Sequence, residues 1–477
     1  MTSTTPSPDP NLPDAASSAV PKEVGRTGLR YPDARLPEAP YPYLLRTRVN
    51  KEIISDVEQT TVRSCPIISR GLFPDDIFPV EPAELVVDLD KITYDLDNQQ
   101  PVPDTPRQWV PTSSPRPFLD GKVDRVPGIA LIDADVDPEW SDVLCDIQMV
   151  PTEDDMPEAL HRLATGAFNL FASQEDRLYC VGVAIAGDSF QLVYHDRAGR
   201  VLSDATSINE DPILFARIIV GLSLLDESVG GRDTSIVYRG DQRFVTVGGV
   251  EYELLETISF RREIEGSGTT CWRCRREDSS EDFVIKSIWA DMERVHTEGD
   301  LLRGVSSLSG VPSLVCEEPV SRGPGKPCTT SWCQALHPMY RFATKATVPQ
   351  LALRRLVLQP YARPLHAFAS KEELLGAFYD AIETHQKLYD MYDLLHCDIG
   401  DKSIMLRARP ESTLRQGLLI GFNCAVRVER LGQWKMAPMG YKAGTLPFMA
   451  CDILRYRRIT QGPRHDLESF LHVLIFI

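Results

Sequence analysis

LLHCDIGDKSIML, Leu394–Leu406, is the stretch whose reading decides the fold. An apolar pair, Leu394 and Leu395, precedes His396-Cys397-Asp398, and a second apolar run, Ile404–Leu406, follows Ser403. Two apolar ends around a polar middle predict a loop gripped on both sides by the core, with a strand after it. An aspartate fixed on such a loop can orient or deprotonate a hydroxyl, and a catalytic loop of this spacing carries a metal-binding asparagine five residues later. Here that position is Ser403. Upstream, Ser370-Lys371-Glu372-Glu373 predicts a capping box, opening a helix that places Leu374, Phe378, Ile382, Leu388 and Leu395 on one buried stripe.

Further back, Glu253–Phe260 and Cys271–Arg275 read as strands around Glu265-Gly266-Ser267-Gly268-Thr269-Thr270. Two glycines between antiparallel strands let the backbone approach a nucleotide's phosphates, although on its own the pattern fits an ordinary hairpin turn better. In the next strand, Phe283–Lys286, a lysine follows three apolar residues, the placement used to hold nucleotide phosphates; the alternative is a surface lysine on an edge strand. Asp291–Leu302 predicts a helix carrying Glu298, either an ion-pair partner for Lys286 or part of a solvated face.

Taken in order, EGSGTTCWRCR, VIKSIW, RRLVLQPYARPLHAF, LLHCDIGDKSIML, LLIGFNCA, GTLPFMACDIL and HDLESFLHVL make the chain resemble the fungal-type protein kinase family over about residues 140–477. The resemblance implies an α+β, protein-kinase-like bilobal fold, with a β-rich N-lobe over 251–363 and a helical C-lobe over 364–477, preceded by a small α/β domain. It assigns Gly266 and Gly268 to the phosphate loop, Lys286 and Glu298 to an ion pair, Asp398 to the catalytic aspartate, and ATP as the nucleotide. Several positions depart from the family pattern. Gly421 stands where LLIGFNCA would carry a magnesium-binding aspartate, and with Ser403 in place of asparagine both expected metal ligands are replaced; Phe422 is kept, and Asn423 comes two residues late. Cys397 replaces the arginine that in many kinases meets a phosphorylated activation loop, which argues against activation of that kind. The C-lobe is expected to be short, leaving apolar residues of the last helix, Phe470, Leu471, Val473, Leu474 and Phe476, uncovered.

The remaining sequence sets bounds. At 477 residues the chain has room for two or three domains. Residues 1–45, rich in Pro, Ser, Ala and Asp, read as a flexible tail, and 46–250 as an accessory α/β region. Its early part holds runs such as Ala83–Asp88 between proline-rich stretches. After Trp140 it reads as a strand, an amphipathic helix over Pro157–Ser173, a buried strand over Leu178–Ile185, a hairpin turning at Asp196–Arg200, and a helix over Pro212–Leu225 that closes the region near residue 250. Where relatives of the family carry a nuclease-like glutamate and lysine, this chain has Gln148 and Val150, so no nuclease site is inferred.

A formal charge of -17 argues against nucleic acid as a partner. The N-terminus lacks a basic start and an apolar run, and the longest apolar tract, Leu471–Ile477, is too short to span a bilayer, so an intracellular protein without membrane contact is expected. Eleven scattered cysteines read as reduced thiols. Cys271, Cys274, Cys328, Cys333 and His337 offer zinc-ligand chemistry, but residues three apart in a strand point to opposite faces, which argues against one shared ion.

Three functions follow: a pseudokinase, favoured by the two lost ligands; an active protein Ser/Thr kinase with atypical metal binding; and a small-molecule kinase-like phosphotransferase, which shares the His-x-Asp loop but lacks a segment like GTLPFMACDIL. Substrate and protein partner are not written in the sequence.

Overall fold

A computed structural model describes residues 61–65, 107–111, 128–133, 139–224, 230–321, 327–330, 350–407, 416–431, 434–438, 443–456 and 459–477. The N-terminal tail, Ala83–Asp88, Leu225, Cys333 and His337 lie outside the described residues. An eight-stranded sheet comes first, built from β1 (Thr61–Cys65), β2 (Arg107–Pro111), β3 (Ile129–Asp133), β4 (Cys145–Val150), β5 (Tyr179–Ala186), β6 (Ser189–Asp196), β7 (Gly199–Ser203) and β8 (Thr206–Ser207). Its order is β1-β7-β6-β5-β4-β3-β2, with β8 on β6. The central strand β5, YCVGVAIA, is buried along its whole length because β4 flanks it in parallel and β6 antiparallel. Helix α1 (Met156–Ser173) lies against β4 and β5, matching the expected amphipathic helix, and α2 (Pro212–Leu224) buries Ile218 and Leu222. Only Cys145–Val150 of the expected strand after Trp140 is extended; Trp140 itself is core.

A seven-stranded antiparallel sheet follows: β9 (Ile236–Arg239), β10 (Gln242–Val247), β11 (Val250–Phe260), β12 (Thr270–Arg275), β13 (Phe283–Asp291), β14 (Ser313–Pro319) and β15 (Leu351–Gln359), with α3 (Glu298–Gly304) between β13 and β14. The boundary expected near residue 250 falls inside the β10–β11 hairpin, so β9 and β10 extend this sheet instead of closing the α/β region. The helix expected over Asp291–Leu302 begins only at Glu298. Strand β13 runs on to Asp291, paired with Leu351 of β15, and Thr297 caps the helix by accepting from the Asp300 amide while Asp300 accepts from the Thr297 amide. Ladder pairing and the cap together override the helical pattern of the intervening residues.

The two sheets share a core. Trp289, Leu351 and Leu353 sit in the same apolar cluster as Val183, Phe190 and Leu222. Polar ties reinforce it: Arg355 reaches the buried Asp233, and Glu175, beyond α1, accepts from Arg243 and from Thr257 Oγ1.

The last part comprises β16 (Ala362–Pro364), α4 (Lys371–Tyr392), β17 (Leu394–Leu395), β18 (Ile404–Arg407), β19 (Gly417–Leu419), β20 (Val426–Arg427), α5 (Cys451–Arg455) and α6 (Pro463–Phe476). Ser370 caps α4 by accepting from the Glu373 amide, but Glu373 answers to the Ala369 amide, one residue before the predicted reciprocal bond. The buried face of α4 is Ala377, Phe378, Ala381, Thr384, His385 and Leu388; Ile382 is exposed and Leu395 belongs to β17, which corrects the predicted stripe. On α6, Phe470 and Val473 are buried while Leu471, Leu474 and Phe476 are exposed, so three of the five residues expected to be uncovered are so.

Inside the first sheet one carboxylate is out of place. Asp146 on β4 is fully enclosed beneath Gly166 of α1, where a Cβ would lie 2.4 Å from its Oδ2, and it is met by Gln148 Nε2 at 3.0 Å and the Gly128 amide at 3.2 Å. Burial pushes its carboxyl up to about 7, against the hydrogen bonds from Gln148 and Gly128, which favour the charged form. The folded value lies above the unfolded one of about 3.9. Stability from this group is therefore fully present below pH of about 3.9 and is lost as pH rises through about 7. Asp146→Asn should flatten that fall, so the thermal midpoint of the variant drops less than that of the unaltered chain between pH of about 5 and about 8; parallel profiles would assign the slope elsewhere.

Candidate functional site

Lys286 stands in the middle of β13, opposite Cys271 of β12 and Leu356 of β15, which buries its stem between neighbouring strands. It is not an edge-strand lysine. Its Nζ donates to Glu298 Oε2 at 2.6 Å, with both side chains more than nine-tenths buried. The second oxygen, Glu298 Oε1, accepts from the Phe422 amide at 3.0 Å. The expected ion pair thus exists, and it also fixes the turn that begins at Gly421.

The His396–Asp398 loop runs from β17 toward β18, outside any helix, as the sequence predicts. His396 is buried and neutral: Nε2 donates to the Ile420 carbonyl at 3.0 Å, Nδ1 accepts from the Asp398 amide at 3.3 Å, and burial holds its pKa below the ordinary value. Cys397 has φ of 66°, a left-handed conformation that non-glycine residues seldom adopt. What holds it there is Asp466 at the start of α6. Its Oδ2 accepts from the Cys397 amide and from His385 Nε2, each at 3.0 Å, while Gln461 Nε2 donates to the Cys397 carbonyl at 3.1 Å. Burial works to raise the Asp466 pKa, but the bonds from His385 and Cys397 outweigh it and hold the carboxyl below its usual range. Asp398 is half-buried, and its Oδ1 accepts from Thr445 Oγ1 at 2.7 Å.

The two replaced metal positions differ in kind. Ser403 is buried, and its hydroxyl closes on the loop itself, accepting from the Gly400 amide at 2.8 Å and donating to the Gly400 carbonyl at 2.9 Å. Gly421 has φ of 86° and open space within 4 Å of a Cβ position, so nothing stands in for a carboxylate there. Asn423 Nδ2 points to Cys424 Sγ at 3.6 Å.

Gly266 and Gly268 do lie on the hairpin loop between β11 and β12, both with positive φ, but that loop is fastened to the first sheet. The Gly266 amide donates to the Arg197 carbonyl at 3.0 Å, Arg197 Nη1 donates to the Glu263 carbonyl, and a Cβ on Gly268 would meet Arg197 Nε at 2.6 Å. Ile264 at the loop tip is buried in the cluster of Trp140, Leu170 and Phe171, and the Arg197 guanidinium lies 4.3 Å from the Phe171 ring centroid. The loop's glycines therefore serve close backbone approach to Arg197, and the Gly266 amide already has a partner.

Of the predicted residues, the structure joins Lys286 and Glu298 to the Gly421 turn, and sets Asp398 and Ser403 on one pinned loop. Sequence reasoning missed Asp466, Thr445, Arg197 and Ile264 as parts of the site. The first two stand inside quoted motifs, HDLESFLHVL and GTLPFMACDIL, yet their partners are distant in sequence; no local pattern marks the other two. Cys271 and Cys274 are half-buried and buried in β12 and Cys328 is in the apolar core, while Cys333 and His337 fall outside the described residues.

A lysine–glutamate pair joining the interior strand β13 of an antiparallel sheet to the helix that follows it, with a His-x-Asp loop pinned by a buried carboxylate, defines a protein-kinase-like fold. The chain belongs to the fungal protein kinase family, whose family model matches residues 129–477. No curated protein matches the chain. Among solved structures, the Cydia pomonella granulovirus kinase PK-1 is similar at 11% identity and a TM-score of 0.31, over 47% of this chain and 70% of that one.

Lys286→Met should leave the Glu298 carboxylate buried without its cation and cost about 3–5 kcal/mol. Adding Glu298→Gln removes the stranded charge while keeping an acceptor for the Phe422 amide, so the double variant should be the more stable of the two in urea. A double variant no better than the single would show that the pair is not electrostatically closed. For the loop, Ile264→Ser should speed hydrogen exchange at the Gly266 amide at least about tenfold, because the tip loses its apolar anchorage; unchanged exchange would mean that Arg197 alone holds the loop.

Proposed function

We propose that this member of the fungal protein kinase family is a weak or inactive phosphotransferase, a pseudokinase whose main remaining contact for ATP is Lys286. One observation carries the reading: the Ser403 hydroxyl is turned to Gly400, accepting from its amide and donating to its carbonyl. With Gly421 offering no side chain, the residues at the two expected positions do not fit magnesium, an ion that takes oxygen ligands in near-octahedral array. Phosphoryl transfer depends on positioning and charge stabilisation, and here the chain supplies little of either to the terminal phosphate. The engaged Gly266 amide points the same way, since it is one of the loop donors that a phosphate would need.

A second reading, an active protein Ser/Thr kinase with atypical metal binding, is favoured by the state of Asp398. The loop that carries it is fully pinned through Asp466, and Thr445 holds the carboxylate ready to orient an acceptor hydroxyl. The same segment around Thr445 weighs against a small-molecule phosphotransferase. Protein partners and substrates belong to the proposal only as a class.

Transfer of radiolabel from ATP to a mixture of acidic and basic proteins separates the readings. The unaltered chain should label at or near background, and Ser403→Asn with Gly421→Asp should raise labelling, because aspartate tolerates a left-handed backbone and the space at 421 is open. Vigorous transfer by the unaltered chain, abolished by Asp398→Asn, would establish the active kinase instead.

A further inference from the structure

Three side chains of different chemistry converge at the junction of α5 and α6. Cys451 is the first residue of α5, and Glu468 and His472 stand one turn apart on α6. The Cys451 sulfur, a Glu468 oxygen and a His472 ring nitrogen all lie within 4.8 Å of one another. The orientations are already arranged. His472 Nδ1 donates to the Phe448 carbonyl at 3.2 Å, which leaves Nε2 as the lone-pair nitrogen, and Nε2 is the atom that faces Glu468 Oε1 at 3.8 Å. Metal-binding histidines are held in this manner, the far nitrogen bonded to a backbone carbonyl so that the near one is free to ligate. Glu468 Oε1 accepts from the Cys451 amide at 2.9 Å, which aims its carboxylate at the base of the same residue that supplies the thiol. The nearby Arg464 is turned to Asp452, at 3.4 Å, and does not occupy the glutamate. Cys451 is exposed and the other two are half-buried, so one side of the triangle faces solvent.

We propose that Cys451, Glu468 and His472 form a site for a zinc-class divalent cation, with water in the open fourth position. Thiolate, imidazole and carboxylate together select a borderline metal such as Zn²⁺ over magnesium or calcium, which prefer oxygen alone. Ligand atoms in a tetrahedral zinc site are roughly 3–4 Å apart, given bonds of about 2.0–2.3 Å, so the three groups need only small side-chain rotations to close on an ion. Binding exchanges the thiol proton for the metal, with no change of oxidation state. The site would act as a clamp. It ties the start of α5 to α6, and the segment entering α5 carries both Phe448, which orients His472, and Thr445, which holds Asp398. The inference stands on these residues alone and is independent of whether the chain transfers phosphate.

The test uses the full chain, stripped with chelator under reducing conditions and titrated with Co²⁺. One equivalent should bind with the sulfur-to-cobalt charge-transfer absorption and visible bands of a tetrahedral thiolate site, and Zn²⁺ should bleach both. Cys451→Ser should abolish the charge-transfer band, and His472→Ala should weaken cobalt binding by more than about tenfold, as loss of even an outer partner commonly does. Cys424→Ser, at a half-buried cysteine outside the triangle, should leave the spectrum unchanged. Circular dichroism confirms that each variant is folded; Cys451 is exposed and His472 half-buried, so neither change removes a core side chain. No cobalt spectrum in the unaltered chain, or a spectrum that survives Cys451→Ser, would overturn the site.

Discussion

The Glu298 carboxylate is the junction on which the site depends. Each of its oxygens faces a different part of the molecule, one the Lys286 ammonium in the middle of the antiparallel sheet, the other the Phe422 amide just past Gly421. Two consecutive elements and a turn more than a hundred residues further on are therefore registered by a single side chain, and the register is enforced by burial. Neither oxygen can turn to water when its partner is lost, so the penalty for a mismatch is that of an unpaired charge in a dry interior. Asp466 repeats the arrangement, one carboxylate gathering His385 from α4 and Cys397 from the His396–Asp398 loop. The positive φ at Cys397 is tolerable because both its amide and its carbonyl are fixed from α6 and its approach.

Most of this frame was legible in the sequence where short-range pattern and tertiary demand agree. The amphipathic helix at Pro157–Ser173, the apolar strand around Val183, the Phe283–Lys286 strand and the polar loop at His396–Asp398 each appear within a residue or a few of their expected places, because periodicity and burial ask for the same thing there. Asp291–Leu302 failed for the opposite reason. Its residues suit a helix, but Trp289, Ala290 and Asp291 continue a ladder with β15, and the Thr297–Asp300 cap decides where helix begins. The Ile382 error has a similar cause: α4 turns small residues, Ala377 and Ala381, toward the β18–β19 hairpin, and its bulky Ile382 to the outside. No periodicity can announce Arg197, since its role is defined by a loop more than sixty residues away.

The family pattern and the local chemistry separate at the metal positions. Resemblance places the residues; only the hydrogen bonds say what they do now. Ser403 stands five residues after Asp398, where the asparagine is expected, and its hydroxyl bonds the Gly400 amide and carbonyl within the same loop. The cluster at Cys451, Glu468 and His472 is the reverse case: its residues lie inside the motifs GTLPFMACDIL and HDLESFLHVL, yet the resemblance gives them no role and only their donor chemistry converges.

The docking of the Ile264 tip has a thermodynamic consequence for any ligand of the glycine loop. A nucleotide that claims the Gly266 amide must displace the Arg197 carbonyl, and so competes with an intramolecular ligand present at a fixed effective concentration. Coupling of this sort is reciprocal. Whatever loosens the packing of Trp140 and Phe171 raises the apparent affinity of the loop, and whatever occupies the loop softens that packing in equal measure. For a phosphate brought to this loop the α/β layer would be a built-in competitor, its strength set as much by residues of the first sheet as by the glycines themselves.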